Sequence, residues 1–235
     1  RKRNQMQVIR FGDTVGVRYD IKSGKDNFEI YNVAEDPQEI KNLANEPGME
    51  VVQNKMKERV LQVRMPDTSA PRPYDNDLVP AVSIRKTEGG IRWKAYTSNF
   101  PWLPDAATLA TSESGLAAKP DVSVSKRTNN GVLLFEGYLK IPADGQYTFT
   151  IKAGAGALLR IHDATVIDAD FGYVALSEKS GTIRLQAGLH PFRLYSLKTG
   201  TTPLLNLEWE GPGINKQKIA ANVFYKNLRG TGKTL

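Results

Sequence analysis

The stretch HDATVIDAD holds several side chains that could bind a metal ion or a polar ligand. These are His162, Asp163, Asp168 and Asp170. Because side chains alternate between the two faces of a strand, Asp168 and Asp170 share one face, and a tight turn could bring them near His162. The pattern therefore allows a small metal or glycan site, and a glycan site is the interpretation that we carry forward. The alternative is structural: Asp163 forms the turn and Asp170 caps the following loop, since Asp bonds its own backbone well in turns.

Aromatic side chains offer a second kind of chemistry, because their faces can stack on sugar rings. Trp93, Trp102 and Trp209 are the three tryptophans. Trp209 lies in the alternating segment LNLEWE, which predicts a core position. Trp102 lies in NFPWLPD between two prolines and is the best candidate for an exposed glycan-binding ring. His190, in GLHPF, is expected to be structural.

The composition excludes several functions. No cysteine is present among the 235 residues, which excludes disulfides, thiolate metal sites and a cysteine nucleophile. The net charge of +7 suggests an anionic partner, but basic and acidic residues are interspersed, so nucleic-acid binding is not expected. No apolar run approaches the roughly 18 residues of a membrane helix, so no membrane span is expected. The chain opens on RKRNQ without Met and is expected to be part of a longer protein.

The first part of the chain predicts a small antiparallel sheet with packed helices. Alternating segments at 6–11, 15–21 and 28–33 are separated by turn residues. Asp36 can cap a helix that begins at Pro37, where the missing N–H costs nothing. A further helix is expected over 48–65, because its apolar residues recur with a period close to 3.6.

The second part predicts an all-β domain. Residues 66–87 contain four prolines and no sustained period, which indicates a linker. Beyond Gly90 the chain is a series of short alternating segments joined by Gly, Pro and Asp turns, which is typical of a β-sandwich. The expected fold class is α+β followed by all-β of a jelly-roll-like kind. The expected divisions are 1–65 for the α+β subdomain, 66–87 for the linker, 88–228 for the sandwich and 229–235 for a tail.

The segment FEIYNVAEDPQEIKNLA resembles the C-terminal region of bacterial type I sulfatases. The matching groups are Ile30 to Asn32, then Asp36, Pro37 and Glu39, then Asn42 to Ala44. The resemblance covers about the first 65 residues and implies the subdomain that completes a sulfatase fold. Sulfatases attack sulfur with a formylglycine matured from Cys or Ser in the pattern Cys/Ser-x-Pro-x-Arg, beside a Ca²⁺. That pattern is absent here, since in SAPRP the arginine Arg72 follows the proline directly.

Residues 88–228 resemble the protective-antigen-type β-sandwich module. The segments that carry the resemblance are GIRWKAYTSNF, FEGYLKIPADGQYTFTI, VIDAD, IRLQAGLHPFRLYSL and LNLEWEGPG. Sugar-binding members of this family hold a Ca²⁺ with two consecutive aspartates after the Tyr-x-Phe strand. Gly154 and Ala155 stand at those positions here. Because Ca²⁺ needs about six to eight oxygen ligands, the resemblance implies a sandwich that has lost this calcium site.

Together the two resemblances imply the non-catalytic C-terminal fragment of a secreted sulfatase, a sulfuric ester hydrolase acting on sulfated glycans. The fragment itself would hold no cofactor and no catalytic residue, while its parent would use Ca²⁺ and formylglycine. Its partners would be the missing N-terminal catalytic domain and a glycan, in the bacterial periplasm, envelope or medium. Two alternatives remain open, a stand-alone carbohydrate-binding or adhesion module and a structural spacer or oligomer contact. Glycan-binding candidates are Trp102, His162, Asp163, Asp168 and Asp170.

Overall fold

The computed structural model describes residues 6–125, 130–199 and 204–228, and within them the fold is mostly antiparallel β-sheet with one α-helix. The predicted tail 229–235 lies outside the described residues. The chain divides into two compact units, residues 1–77 and 78–235. The elements in chain order are β1 (Met6–Phe11), β2 (Thr14–Tyr19), β3 (Glu29–Asn32), α1 (Met49–Val63), β4 (Thr87–Gly89), β5 (Ile91–Thr97), β6 (Thr111–Ala117), β7 (Gly131–Ile141), β8 (Gly145–Ala153), β9 (Ala157–Ile161), β10 (Ala164–Ala169), β11 (Glu178–Leu185), β12 (Gly188–Lys198), β13 (Leu205–Gly211), β14 (Ile214–Lys218) and β15 (Phe224–Asn227).

The first unit is an antiparallel sheet in the order β1-β2-β3 with α1 packed on one face. Helix and sheet approach closely at Gly16, where a Cβ would lie 2.3 Å from the sulfur of Met56, so a larger residue would displace the buried Met56 side chain. The buried side chain of Gln53 links the helix to Phe28, the residue before β3. It accepts from the N–H of Phe28 at 2.9 Å and donates to the carbonyl of the same residue. The predicted helix over 48–65 is therefore present. Its apolar pattern is only partly buried, because Val51 remains 61% exposed.

The helix predicted from Pro37 is wrong, because residues 33–48 form a series of turns. The side chain of Asp36 does cap, but it accepts from the N–H of Lys41 at 2.7 Å, which closes a turn instead of starting a helix. Glu39 has a φ of 54°, which is incompatible with a continuing right-handed helix. Asn42 then ties the segment back to the sheet by accepting from the N–H of Ile30 at 3.0 Å.

The second unit consists of two antiparallel sheets packed as a sandwich. One sheet has eight strands, with the path β10-β9-β12-β7-β15-β4 and with β5 joining β7 to β6. The other has four strands in the order β11-β8-β13-β14. The predicted alternation in β8 is confirmed, because Tyr147, Phe149 and Ile151 are fully buried between the sheets. Trp93 and Trp209 are also buried, at 9% and 5% exposure, as the alternation around Trp209 predicts.

The proline-rich segment 66–87 is more ordered than a free linker. Tyr74 is buried in the core of the first unit, and Arg64 pairs with Asp75. Val79 is buried within the second unit and forms a parallel bridge with Leu185. No helix in the described part of the chain is long and apolar enough to cross a membrane.

Candidate functional site

Trp102 and Phe100 form an exposed aromatic platform on the second unit. Their ring centroids lie 5.4 Å apart with an interplanar angle of 28°, so the two rings are stacked. Trp102 is 50% exposed and Phe100 is 47% exposed. Both lie in the connection between β5 and β6, where Pro101 and Pro104 supply no backbone N–H to a neighbouring strand. The connection therefore stays outside the sheet and presents its aromatic side chains to solvent.

Asp170 fastens this platform to the sandwich. Both of its carboxylate oxygens accept from the backbone N–H of Leu103, at 3.0 and 3.1 Å. Leu103 packs on a buried cluster that includes Tyr96 and Leu134, so the residue next to Trp102 is fixed on two sides. A charge-assisted hydrogen bond of this kind holds more strongly than a neutral one. The platform is consequently a preorganised surface and not a loose loop.

The loop from Asp170 to Ser177 adds exposed apolar side chains next to this anchor. Phe171 is 97% exposed, although the loop that carries it is well tied down. The hydroxyl of Tyr173 donates to the carbonyl of Ser177 at 2.6 Å and accepts from the N–H of Ala153 at 3.0 Å. Phe171 is thus held out to solvent by an ordered backbone.

The β8–β9 turn, where Gly154 and Ala155 replace the expected aspartate pair, lies against the same anchor. A Cβ on Gly156 would meet a carboxylate oxygen of Asp170 at 2.9 Å. Asp170 is thus a carboxylate beside the turn, and it already accepts the N–H of Leu103. Asp168 is exposed and accepts from the N–H of Asp170 at 3.2 Å. Across the described residues no group of three or more His, Cys, Asp or Glu side chains could hold a metal ion.

His162 and Asp163 lie at the other end of the β9–β10 hairpin. The register pairs Ala164 with Ile161 and Ala169 with Ala157, so β10 leads away from the turn that contains His162. At about 3.3 Å per residue, Asp170 is roughly 20 Å further along the strand. The expected single cluster of His162, Asp163, Asp168 and Asp170 therefore does not form.

His162 is part of a buried histidine pair. Its Nε2 lies 3.0 Å from Nδ1 of His190, whose own Nε2 lies 2.8 Å from the carbonyl oxygen of Gln186. Because the carbonyl can only accept, Nε2 of His190 carries a proton, and His162 donates to the free Nδ1. Burial lowers the pKa of His190, which keeps it neutral. Asp163 pairs with Arg193. This end of the hairpin is a closed structural network.

Sequence reasoning missed Phe100 and Phe171. Both stand next to a residue that forces a turn or an irregular backbone, in NFP and DFG, and this is the signal that could have found them. An aromatic residue next to a proline or a glycine turn is badly placed to enter a sheet. Exposure follows from that placement.

Comparisons with known proteins address the second unit. The model of the PA14 domain family matches residues 88–222. The PA14 domain of the antifreeze protein MpAFP is 13% identical, with 65% of this chain and 98% of that chain covered and a TM-score of 0.50. An anti-sigma factor domain-containing protein from Clostridium clariflavum is 23% identical at a TM-score of 0.48, with 63% of this chain and 51% of that chain covered, so the match spans about half its length. The A domain of epithelial adhesin 6 from Candida glabrata, solved with Galb1-3GlcNAc, is 15% identical at a TM-score of 0.48, with 61% and 89% covered. No curated protein matches the chain.

The prediction of a sulfatase C-terminal region is wrong. The family model that matches the chain is that of the PA14 domain and not that of a sulfatase. Within residues 1–65, the predicted helix after Asp-Pro is also replaced by turns. The predictions of a parent hydrolase and of a missing catalytic domain rested on that resemblance and are therefore unsupported. The family match covers more than half of the 235 residues, and the chain belongs to the PA14 domain family.

Proposed function

We propose that this chain is a carbohydrate-binding module of the adhesion type, and that the platform of Phe100 and Trp102 is its sugar-contacting surface. The observation that carries the proposal is the exposure of two stacked aromatic rings on an anchored backbone. Such rings offer a large apolar face to the C–H side of a sugar, and two side-chain torsions cost little entropy on binding. Membership of the PA14 family supports the same class of ligand.

The polar side of the proposed site is the exposed carboxylate of Asp168. An ionised carboxylate only accepts hydrogen bonds, and sugar hydroxyls are donors that it can pair with. Asp168 already accepts one N–H, which fixes its rotamer and leaves further acceptor capacity. Asp170 acts by positioning the platform, while His162 and Asp163 have no direct part in it.

We further propose that sugar binding is independent of calcium. Gly154 and Ala155 supply no carboxylate in the β8–β9 turn, and the adjacent Asp170 is engaged with Leu103. Aromatic stacking and hydrogen bonds must then provide the affinity. Chelation of divalent ions with EDTA should leave the dissociation constant unchanged, and a strict calcium requirement would contradict this step.

A glycan array followed by calorimetry on the hits tests the proposal. The Trp102→Ala variant removes the larger ring of the platform and should weaken binding by about 30-fold, the effect of losing a hot-spot side chain. Tyr19→Ala is the matched control, because Tyr19 is 54% exposed on the first unit. Equal affinity of both variants for the glycan, or no glycan bound by the wild type, would overturn the proposal.

A second candidate is a contact with another protein or another copy of this chain, and the exposure of the 170–177 loop favours it. Phe171 is 97%, Val174 71% and Leu176 47% exposed, which is unusual for an ordered loop of a monomer. Sedimentation velocity at increasing concentration tests this candidate. Association that Phe171→Ser abolishes would support it, and a monomer at all concentrations would remove self-association.

We also propose that the chain works at the cell envelope or in the medium, and that an α+β part, residues 1–65, precedes the all-β module at 88–228. The helix and three strands of the first unit support the division. The absence of cysteine fits the envelope of a bacterium without requiring it. Limited proteolysis that releases a stable fragment beginning near Leu78, the first residue of the second unit, would support the division.

A further inference from the structure

A groove of about 250 Å³ lies along the edge of β13 in the second unit. Its floor is apolar and includes Leu205, Leu207, Ile219 and Phe224. The last three of these are at most 9% exposed, so the floor is the edge of the core itself. The groove therefore lies at the edge of the packed apolar core, and Leu205 is the partly exposed side chain of its floor.

The groove exists because β14 is shorter than β13. β14 ends at Lys218, which lies opposite Glu208, so no described strand continues beside the first residues of β13. The N–H of Ile219 still reaches the carbonyl of Leu207 at 3.3 Å, and this bond closes the ladder. Because backbone groups alternate in direction along a strand, the N–H and C=O of Leu205 point towards the same open side. The groove has backbone hydrogen-bonding groups as well as an apolar floor.

Two lysines stand at the rim of the groove. Lys119 and Lys218 both line it and both are exposed. The one carboxylate in the lining is that of Asp121, which caps a short turn by accepting from the N–H of Ser123 at 2.8 Å. The pKa of Asp121 is lowered by these hydrogen bonds with Ser123 and also by Lys119, so the aspartate stays ionised as a fixed part of the wall. The rim retains a net positive charge.

We propose that this groove binds a small amphiphilic anion, a molecule with an apolar body and one carboxylate or sulfonate group. The apolar body lies on Leu205 beside Leu207, and the anionic group pairs with Lys218 and Lys119. Its volume is below the roughly 300–1,000 Å³ of drug-sized sites, so the ligand is small. The proposal does not depend on sugar binding, because the groove and the platform share no residue.

Titration of the full chain with octanoate, followed through the backbone amide resonances of Leu205, Asn206 and Leu207, tests the proposal. Saturable shifts with a dissociation constant of about millimolar are expected for a ligand of this size. Octan-1-ol has the same apolar body without the charge and should bind at least several-fold more weakly. Equal affinity of the acid and the alcohol would show that the lysines play no part and would overturn the proposal.

The double variant K119E/K218E should lose about tenfold in affinity for octanoate, since two favourable charges become unfavourable ones. The matched control K140E/K179E carries the same change in charge outside the groove and should bind like the wild type. An unchanged circular dichroism spectrum and urea midpoint establish that both variants fold. The proposal fails if both variants lose affinity alike, or if the shifts are not confined to the groove.

Discussion

The two ends of the β9–β10 hairpin differ in a way that their sequences do not show. Both carry Asp residues beside an aromatic or histidine side chain. At the turn, His162 and His190 are buried and hydrogen-bond to each other. Neither imidazole is therefore available to a ligand. At the open end, Asp170 satisfies a backbone N–H and thereby holds Trp102 in solvent. The difference between the two ends is therefore that one presents exposed rings on an anchored backbone, whereas the other buries its imidazoles.

The largest effect on stability is expected from a substitution at the closed end of the hairpin, the turn that contains His162. His190→Ala leaves the buried Nε2–H of His162 without its acceptor and opens a cavity, so the free energy of unfolding should fall by about 2–4 kcal/mol. Urea denaturation measures the change. Glycan affinity below the transition should stay at the wild-type value, because the platform lies at the other end. A variant that loses affinity while still folded would contradict the separation of the two ends.

At the open end of the hairpin, which contains Asp170, a substitution should cost less stability but should weaken glycan binding. Asp170→Ala removes a charged acceptor of the Leu103 N–H and should cost about 1–2 kcal/mol of stability. It should also weaken glycan binding, since Trp102 loses its anchor. Asp170→Asn retains an acceptor oxygen and should recover most of the affinity. If Asp170→Ala binds glycan like the wild type, the anchor has no role in positioning the platform.

The closed end should also give the protein a pH dependence. Burial lowers the pKa of His190 in the folded state, while in the unfolded chain it is near its ordinary value of about 6.5. Above that pH His190 is neutral in both the folded and the unfolded chain. As the pH falls below it, His190 of the unfolded chain is protonated first. Stability should therefore fall as the pH drops from 7 to 5, with a lower urea midpoint. A His190→Gln variant should show a shallower fall, and an unchanged slope would assign the effect to other groups.

The smallest effect is expected for Asp163→Ala at the turn. Its partner is Arg193, and the side chains are 38% and 28% exposed, so solvent screens the pair. The loss of stability should be below about 1 kcal/mol, and glycan affinity should not change. Comparison with Asp170→Ala at matched conditions then separates a carboxylate that pairs on the surface from one that positions a platform.

The sequence predicted what depends on local periodicity. Tyr147, Phe149 and Ile151 alternate, and their strand forms with these side chains buried. The helix over Met49–Val63 follows from its 3.6-residue period in the same way. Asp36-Pro37 was misread because a cap signal shows that an N–H will be satisfied, but not whether a turn or a helix follows. Glu39 has a left-handed backbone conformation, which ends the possibility of a helix and leaves a turn.

The candidate site depended on longer-range facts. The separation of His162 from Asp170 follows from the pairing of β9 with β10, which a pattern of alternating residues does not specify. The role of Asp170 depends on a partner 67 residues away, Leu103. Trp102 was identifiable from its flanking prolines, and it is exposed. The stacking of Phe100 on Trp102 depends on the conformation of the whole connection, which the neighbouring prolines do not specify.

Tryptophan fluorescence during a glycan titration, in buffer that contains EDTA, measures whether sugar binds at Trp102 without calcium. Trp102 is the exposed tryptophan, whereas Trp93 and Trp209 are buried, so a sugar on the platform must change the emission of Trp102. A saturable change in emission is expected in the wild type and should disappear in Trp102→Phe, while calorimetry still detects binding to the platform, which then has two phenylalanine rings. A glycan that binds with no change in emission, or a change that persists in Trp102→Phe, would contradict sugar binding at Trp102.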